Sequence, residues 1–229
     1  MVTVAVPAVR HPSDRLLLAG ALAGPVFYVS ATTQALTREG FDITRHPLSQ
    51  LATGDLGWIQ VATFVLAGLG SLSLAAGIKH TLTAGIGRRA LPILVGIFGA
   101  GLIAAGLFRM DAENGFPAGT PDEPVAQLSW HSVAHSAAAA IGFTAVAVAA
   151  IVLTVRHARQ RAVLPAVANT AVAIVLLLPM SPDYLSIQIA VSGAVAFGWT
   201  TVLALRLRRA ARPTYGVLHH KPSEKASTS

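Results

Sequence analysis

His131 and His135 stand four residues apart in the stretch Ser129-Trp130-His131-Ser132-Val133-Ala134-His135. On a helix that spacing projects both imidazoles from one face, one turn apart, which is how helical histidine pairs hold zinc. A third nitrogen from His46 and an oxygen from Asp111 would complete a tetrahedral set. Ser49, one turn from His46 if that stretch is helical, would orient a metal-bound water or donate a hydrogen bond. In this scheme zinc is the cofactor, His46, His131 and His135 are its ligands, and Asp111 and Ser49 are the catalytic residues of an ester or amide hydrolysis. The same residues admit a structural reading. Interfacial histidines can hydrogen-bond to headgroups and loops, Ser49 can cap a helix, and Asp111 can pair with Arg109 or Arg45. A Ser-His-Asp hydrolase built on Ser49 lacks its usual setting, because no nucleophile elbow or oxyanion-hole motif surrounds that serine.

What must position these residues is a set of apolar segments. Six can be read, at about 16–36, 57–78, 91–108, 130–155, 163–179 and 187–205, each near the roughly 20 residues that a bilayer-crossing helix needs. The expected fold is therefore all-α, a polytopic bundle of six transmembrane helices over residues 16–205, with tails at 1–15 and 206–229. Charge gives the orientation. Of 17 Lys and Arg, 14 lie in the two tails and in the loops 79–90 and 156–162, leaving Arg38, Arg45 and Arg109 for the other loops. Positive charge favours the cytoplasmic side, so both termini are expected there, in the cell membrane. Eight of the ten acidic residues, with His46, His131 and His135, fall on the opposite side. Any chemistry is expected to face outward.

Composition narrows the alternatives. At 229 residues, 53% hydrophobic and 12% charged, the chain has room for one bundle and no soluble second domain. The net charge of +7 does not point to nucleic acid, since the basic residues are spread over helix ends and are not interleaved with aromatics. Membrane lipids are the expected partners. The absence of cysteine excludes disulfides and thiolate chemistry. The first segment, at about 20 apolar residues, exceeds a signal-peptide core and reads as a retained helix, while the basic tail from Arg206 to Ser229 reads as disordered.

Lipid tails provide no hydrophobic force between helices, so small residues must bring backbones together. Gly20 and Gly24 form a G-x-x-x-G pair on the first segment, which would serve packing within the bundle or homodimerisation, and Gly96, Ala100 and Ala104 repeat the spacing on the third. Pro25 should kink the first helix. No Asp, Glu, Lys or Arg lies in the middle of any segment, which argues against an ion-coupled transporter. Gln34, Gln60, Asn169 and Gln188 are the polar residues left at depth and are expected to hydrogen-bond between helices.

Three stretches together resemble the uncharacterised membrane family known as domain of unknown function 998 over about residues 15–205. They are His46-Pro47-Leu48-Ser49-Gln50-Leu51 leading into Gly57-Trp58, then Phe108-Arg109-Met110-Asp111 with Gly115 and Pro117, and His131 with His135. The resemblance implies a six-helix integral membrane protein without an assigned reaction. In residue types alone the set His46, Ser49, Asp111, His131 and His135 is also similar to that of the zinc hydrolases related to alkaline ceramidases and adiponectin receptors, although order and setting differ. Two functions follow as expectations. One is an outward-facing ligand site or metal-dependent lipid hydrolase. The other is a non-enzymatic component, either a structural partner of another membrane protein or a small-solute facilitator.

Overall fold

The computed structural model describes residues 12–211, so most of the expected tails, 1–11 and 212–229, lies outside the described residues. Those residues form six α-helices and two short 3-10 turns: α1 (Pro12–Thr37), a turn at Leu48–Ala52, α2 (Gly57–Thr81), α3 (Ala90–Leu107), α4 (Trp130–Arg159), α5 (Val163–Leu177), a turn at Pro182–Tyr184 and α6 (Leu185–Ala210). Five of the helices are long and apolar enough to cross a membrane. The chain is a polytopic helical membrane protein.

α5 is the exception, with 15 residues giving a length of about 22 Å against a hydrocarbon core of about 30 Å. Its end is set by Pro179. Proline lacks an N–H and pushes the residue before it toward extended backbone, and Leu178 takes that conformation at φ −59°, ψ 138°. At the other extreme α6 continues past the apolar run to Ala210, so that Arg206, Arg208 and Arg209 belong to its final turns. There Arg208 Nε is 2.7 Å from Asp14 Oδ1 of α1, tying the first helix to the last.

Small residues set the packing. A Cβ built on Gly20 would stand 2.5 Å from Leu74 Cβ of α2, and one on Gly24 would stand 2.9 Å from Phe197 Cβ of α6. The G-x-x-x-G pair is therefore occupied within one chain, one glycine per neighbour. Gly68 and Gly99 do the same for α2 and α3, and Gly101 lies close against Gly142 of α4. α1 runs unbroken through Pro25. The carbonyl of Ala21, which a proline at 25 cannot serve, accepts instead from Thr201 Oγ1 of α6 at 3.2 Å, the cross-helix repair that proline in a membrane helix calls for.

Three of the four polar side chains read at depth join helices, whereas Gln188 holds the turn before α6, its Oε1 accepting from Ser181 N at 2.6 Å. Gln34 Nε2 donates to Gln60 Oε1 at 2.8 Å, and Trp199 Nε1 donates to Asn169 Oδ1 at 2.8 Å. Such bonds contribute about 0.6–2 kcal/mol each in a bilayer. Packing around the ring is uneven. Each of α1 to α4 packs extensively on its sequence neighbour, α6 lies mainly on α1, and α6 touches α4 and α5 only lightly. The seam along α6 consequently stays open, and the cavities described below lie in it.

Candidate functional site

Two long loops, 38–56 and 108–129, meet over one end of the bundle, and the residues singled out in sequence divide among three places there. His46 lies in the lock between the loops and is 1% exposed. The backbone N–H of Asp42 donates to its Nδ1 at 2.9 Å, so the ring proton of the neutral imidazole sits on Nε2, which donates to the carbonyl of Asn114 at 2.9 Å. Phe41 and Phe116 flank the ring at 5.6 and 5.4 Å. Gln50, one turn on, donates to the carbonyl of Glu113 at 2.9 Å. Arg38 lies 4.7 Å from the Phe116 ring centre and donates to the carbonyl of Thr53 at 2.7 Å; burial lowers its pKa from the ordinary value. Hydrogen bonds from the Thr44 hydroxyl and backbone N–H hold the Asp42 carboxyl below its ordinary pKa. Arg45 pairs with Asp122 across the loops. The most distinctive motif of the sequence, His46 to Leu51, is thus a clasp made largely of side chain to backbone hydrogen bonds.

His131 and Asp111 lie in a second place, a shallow groove shared with Thr53, Gly54 and Arg109. His131 is exposed and rests on Trp130 with ring centres 3.6 Å apart. Asp111 Oδ2 accepts from the backbone N–H of Ser129 at 2.8 Å, and Ser129 Oγ accepts from Ser132 N at 3.2 Å. Asp111 therefore fixes the residue that caps α4.

Ser49 and His135 share the third place. His135 is 4% exposed, and its Nδ1 lies 2.7 Å from the carbonyl of Ala105 and 3.0 Å from that of Phe108. Carbonyls only accept, so Nδ1 carries the proton and Nε2 of the neutral ring presents a lone pair. Ser49 Oγ points to the thioether of Met110 at 3.0 Å, a weak acceptor. The expected zinc set is not assembled: among the described residues no group of three His, Cys, Asp or Glu is placed to hold a metal. The physical reason is local. His46 has both nitrogens committed to backbone, and His131 and His135 line different cavities.

Around Ser49 and His135 the open seam forms a cavity in two parts. An outer cleft of about 570 Å³ has a polar rim from Thr44, Arg45, Glu113, Asn114, Ser136 and Ser186. Below it lies a narrow apolar chamber of about 60 Å³ walled by Phe27, Phe64, Phe98, Phe143 and Phe197, with Tyr28. Both parts share Ser49, His135, Ala139, Phe143 and Ile189, so one passes into the other. Tyr28 donates its hydroxyl to the carbonyl of Ala190 at 2.7 Å, which leaves its ring face to the chamber. The cleft is of the size that holds small ligands. Sequence reading reached Ser49 and His135, the polar residues shared by both parts, and none of the aromatic wall. Those phenylalanines come from α1, α2, α3, α4 and α6 and carry no local signal of convergence.

The family model described as "Protein of unknown function (DUF998)" matches residues 21–208, whereas no curated protein and no solved structure matches the chain significantly. The match covers most of the chain and all three sites, and the protein belongs to that family.

Proposed function

We propose that this protein binds a lipid-like amphiphile in the cavity between α4 and α6, with the polar part of the ligand at Ser49 and His135 and its apolar part in the aromatic chamber. One observation carries the reading: a polar-rimmed cleft narrows into an apolar chamber, and the polar residues common to both are a serine and a histidine. The His135 lone pair accepts a hydrogen bond from a headgroup hydroxyl or amide, and Ser49 supplies a donor in exchange for its weak bond to Met110. α6 packs only lightly on α4 and α5, which supports sideways access from the membrane. The distribution of basic residues supports placing the cavity on the outer face of the cell membrane, with both termini in the cytoplasm. A zinc-dependent hydrolysis at His46, His131 and His135 draws no support from this geometry. The reading is that of a binding protein.

Mass spectrometry of lipids retained by the detergent-purified full chain tests it, wild type beside Ala139→Phe. Ala139 is half-buried and lines both parts of the cavity, so a benzyl group there fills the passage. A near-stoichiometric amphiphile retained by the wild type and lost from a folded A139F is expected. Equal retention in both would refute the proposal.

A further inference from the structure

At the opposite, basic end of the bundle the same seam opens into a second cleft of about 490 Å³ between α4, α5 and α6. Its apolar wall includes Leu153, Val172, Leu203 and Leu207, and its mouth carries Arg156, His157 and Arg206. Among the described residues no Asp or Glu lines it. The three cationic or donor groups are held in different ways. Arg156 is half-buried and fixed by hydrogen bonds from its Nη1 to the carbonyls of Ala84 and Ile86 at 3.1 and 2.8 Å, which leave its other guanidinium nitrogens for a ligand. His157 Nδ1 lies 3.3 Å from Asn169 Nδ2, and the ring hydrogen-bonds to the Leu153 carbonyl of its own helix. Arg206 is exposed and has no carboxylate within ion-pair distance among the described residues. Asn169, at 6% exposure, is fixed in turn by Trp199 and by donation to the carbonyl of Pro165 at 2.6 Å.

We infer that this cleft binds one anionic phospholipid of the adjoining leaflet, its phosphate between Arg156, His157 and Arg206 and an acyl chain along the α4, α5 and α6 wall. Charge complementarity selects the occupant: donors of one sign at the mouth, none of the other, and hydrocarbon directly beneath. The side chains that keep a positive-inside orientation would be scattered around the rim; here two arginines and a histidine converge on a cavity with an apolar floor. The space is left because α5 packs extensively on α4 and only lightly on α6. This site shares no lining residue with the Ser49 and His135 cavity and stands apart from the reading proposed for it.

The experiment is native mass spectrometry of the full chain in detergent, titrated with phosphatidylglycerol, phosphatidylcholine or inorganic phosphate. It compares the wild type, Arg206→Gln and Arg209→Gln. Arg206 and Arg209 are both exposed on the final turns of α6, but only Arg206 lines the cleft, so neither change threatens folding and one is a control for bulk charge. Phosphatidylglycerol is expected to bind in preference to phosphatidylcholine, R206Q to weaken it by roughly tenfold, the cost of one charge-assisted hydrogen bond, and R209Q to leave it unchanged. Equal loss in R206Q and R209Q would overturn the inference in favour of diffuse attraction. Binding of inorganic phosphate as tight as that of the lipid would overturn it in favour of a free-anion site, and equal affinity for the two lipids would remove the role of headgroup charge.

Discussion

Replacing His46 by alanine separates a clasp from a metal ligand. The imidazole is 1% exposed and serves one backbone N–H, that of Asp42, and one carbonyl, that of Asn114, each at 2.9 Å. Its removal strands both groups. A buried polar group left without a partner costs about 1–3 kcal/mol, and the loops are close enough to solvent for water to recover part of that. Loss of the ring contacts with Phe41 and Phe116 adds about 0.5–1.5 kcal/mol. The expected destabilisation of the loop pair is about 3–5 kcal/mol. His46→Gln retains an acceptor and a donor on a similar reach and is expected to recover about half of it. Hydrogen exchange of the peptides spanning 42–53 and 113–116 in detergent-purified protein reads the effect locally, and thermal unfolding reads it globally. Faster exchange in both loops, strong in H46A and partial in H46Q, is expected. Unchanged protection together with loss of a bound metal would show that His46 is a ligand and that the clasp is misread.

Two other outcomes follow from packing and charge. Gly20→Ala places a methyl 2.5 Å from Leu74 Cβ and 3.1 Å from Leu74 Cα, so α1 and α2 must separate; the thermal midpoint is expected to fall, by an overpacking cost of about 1–3 kcal/mol. Gly96→Ala meets only Ala75 Cβ at 3.9 Å, ordinary contact, and is expected to be neutral in the same melt. The Asp42 carboxyl is held below its ordinary pKa by Thr44. A depressed carboxyl contributes stability above its unfolded pKa and loses it as pH falls through the folded one. The melting temperature should therefore drop below about pH 4 more in the wild type than in Thr44→Val, and identical acid profiles would remove the Thr44 contribution.

The positions of the apolar segments were legible in sequence to within about five residues at their ends, because hydropathy over a span is a sum and tolerates local exceptions. α2 begins at Gly57 and α4 at Trp130, as expected. The departures have local causes. Pro179 stops α5 short, and α6 persists through Arg206 to Ala210 because a helix need not end where its side chains become charged. The site was legible only in part. Charge alternation gathers His46, Asp111, His131 and Ser49 at one end, and the structure places them there. Which of them meet depends on the fold of the loops. His46 and Gln50 look like free functional groups until the carbonyls of Asn114 and Glu113, remote in sequence, are laid against them. His131 and His135 share the spacing of a ligand pair, yet His131 sits in the exposed first turn against Trp130 while His135 is buried between α3 and the cavity. Nor does periodicity report that α6 packs only lightly on α4, and both clefts lie along that seam.

The most direct test of the proposed binding cavity is photo-crosslinking with a single-chain amphiphile that carries a diazirine near the end of its tail, followed by peptide mapping. A tail seated in the chamber is expected to label α3, α4 and α6 at Phe98, Gly142 and Phe197, and Ala139→Phe is expected to abolish that labelling. Labelling confined to the exposed faces of the helices, such as Leu164, Val167 and Ile174 of α5, and unaffected by A139F, would contradict it.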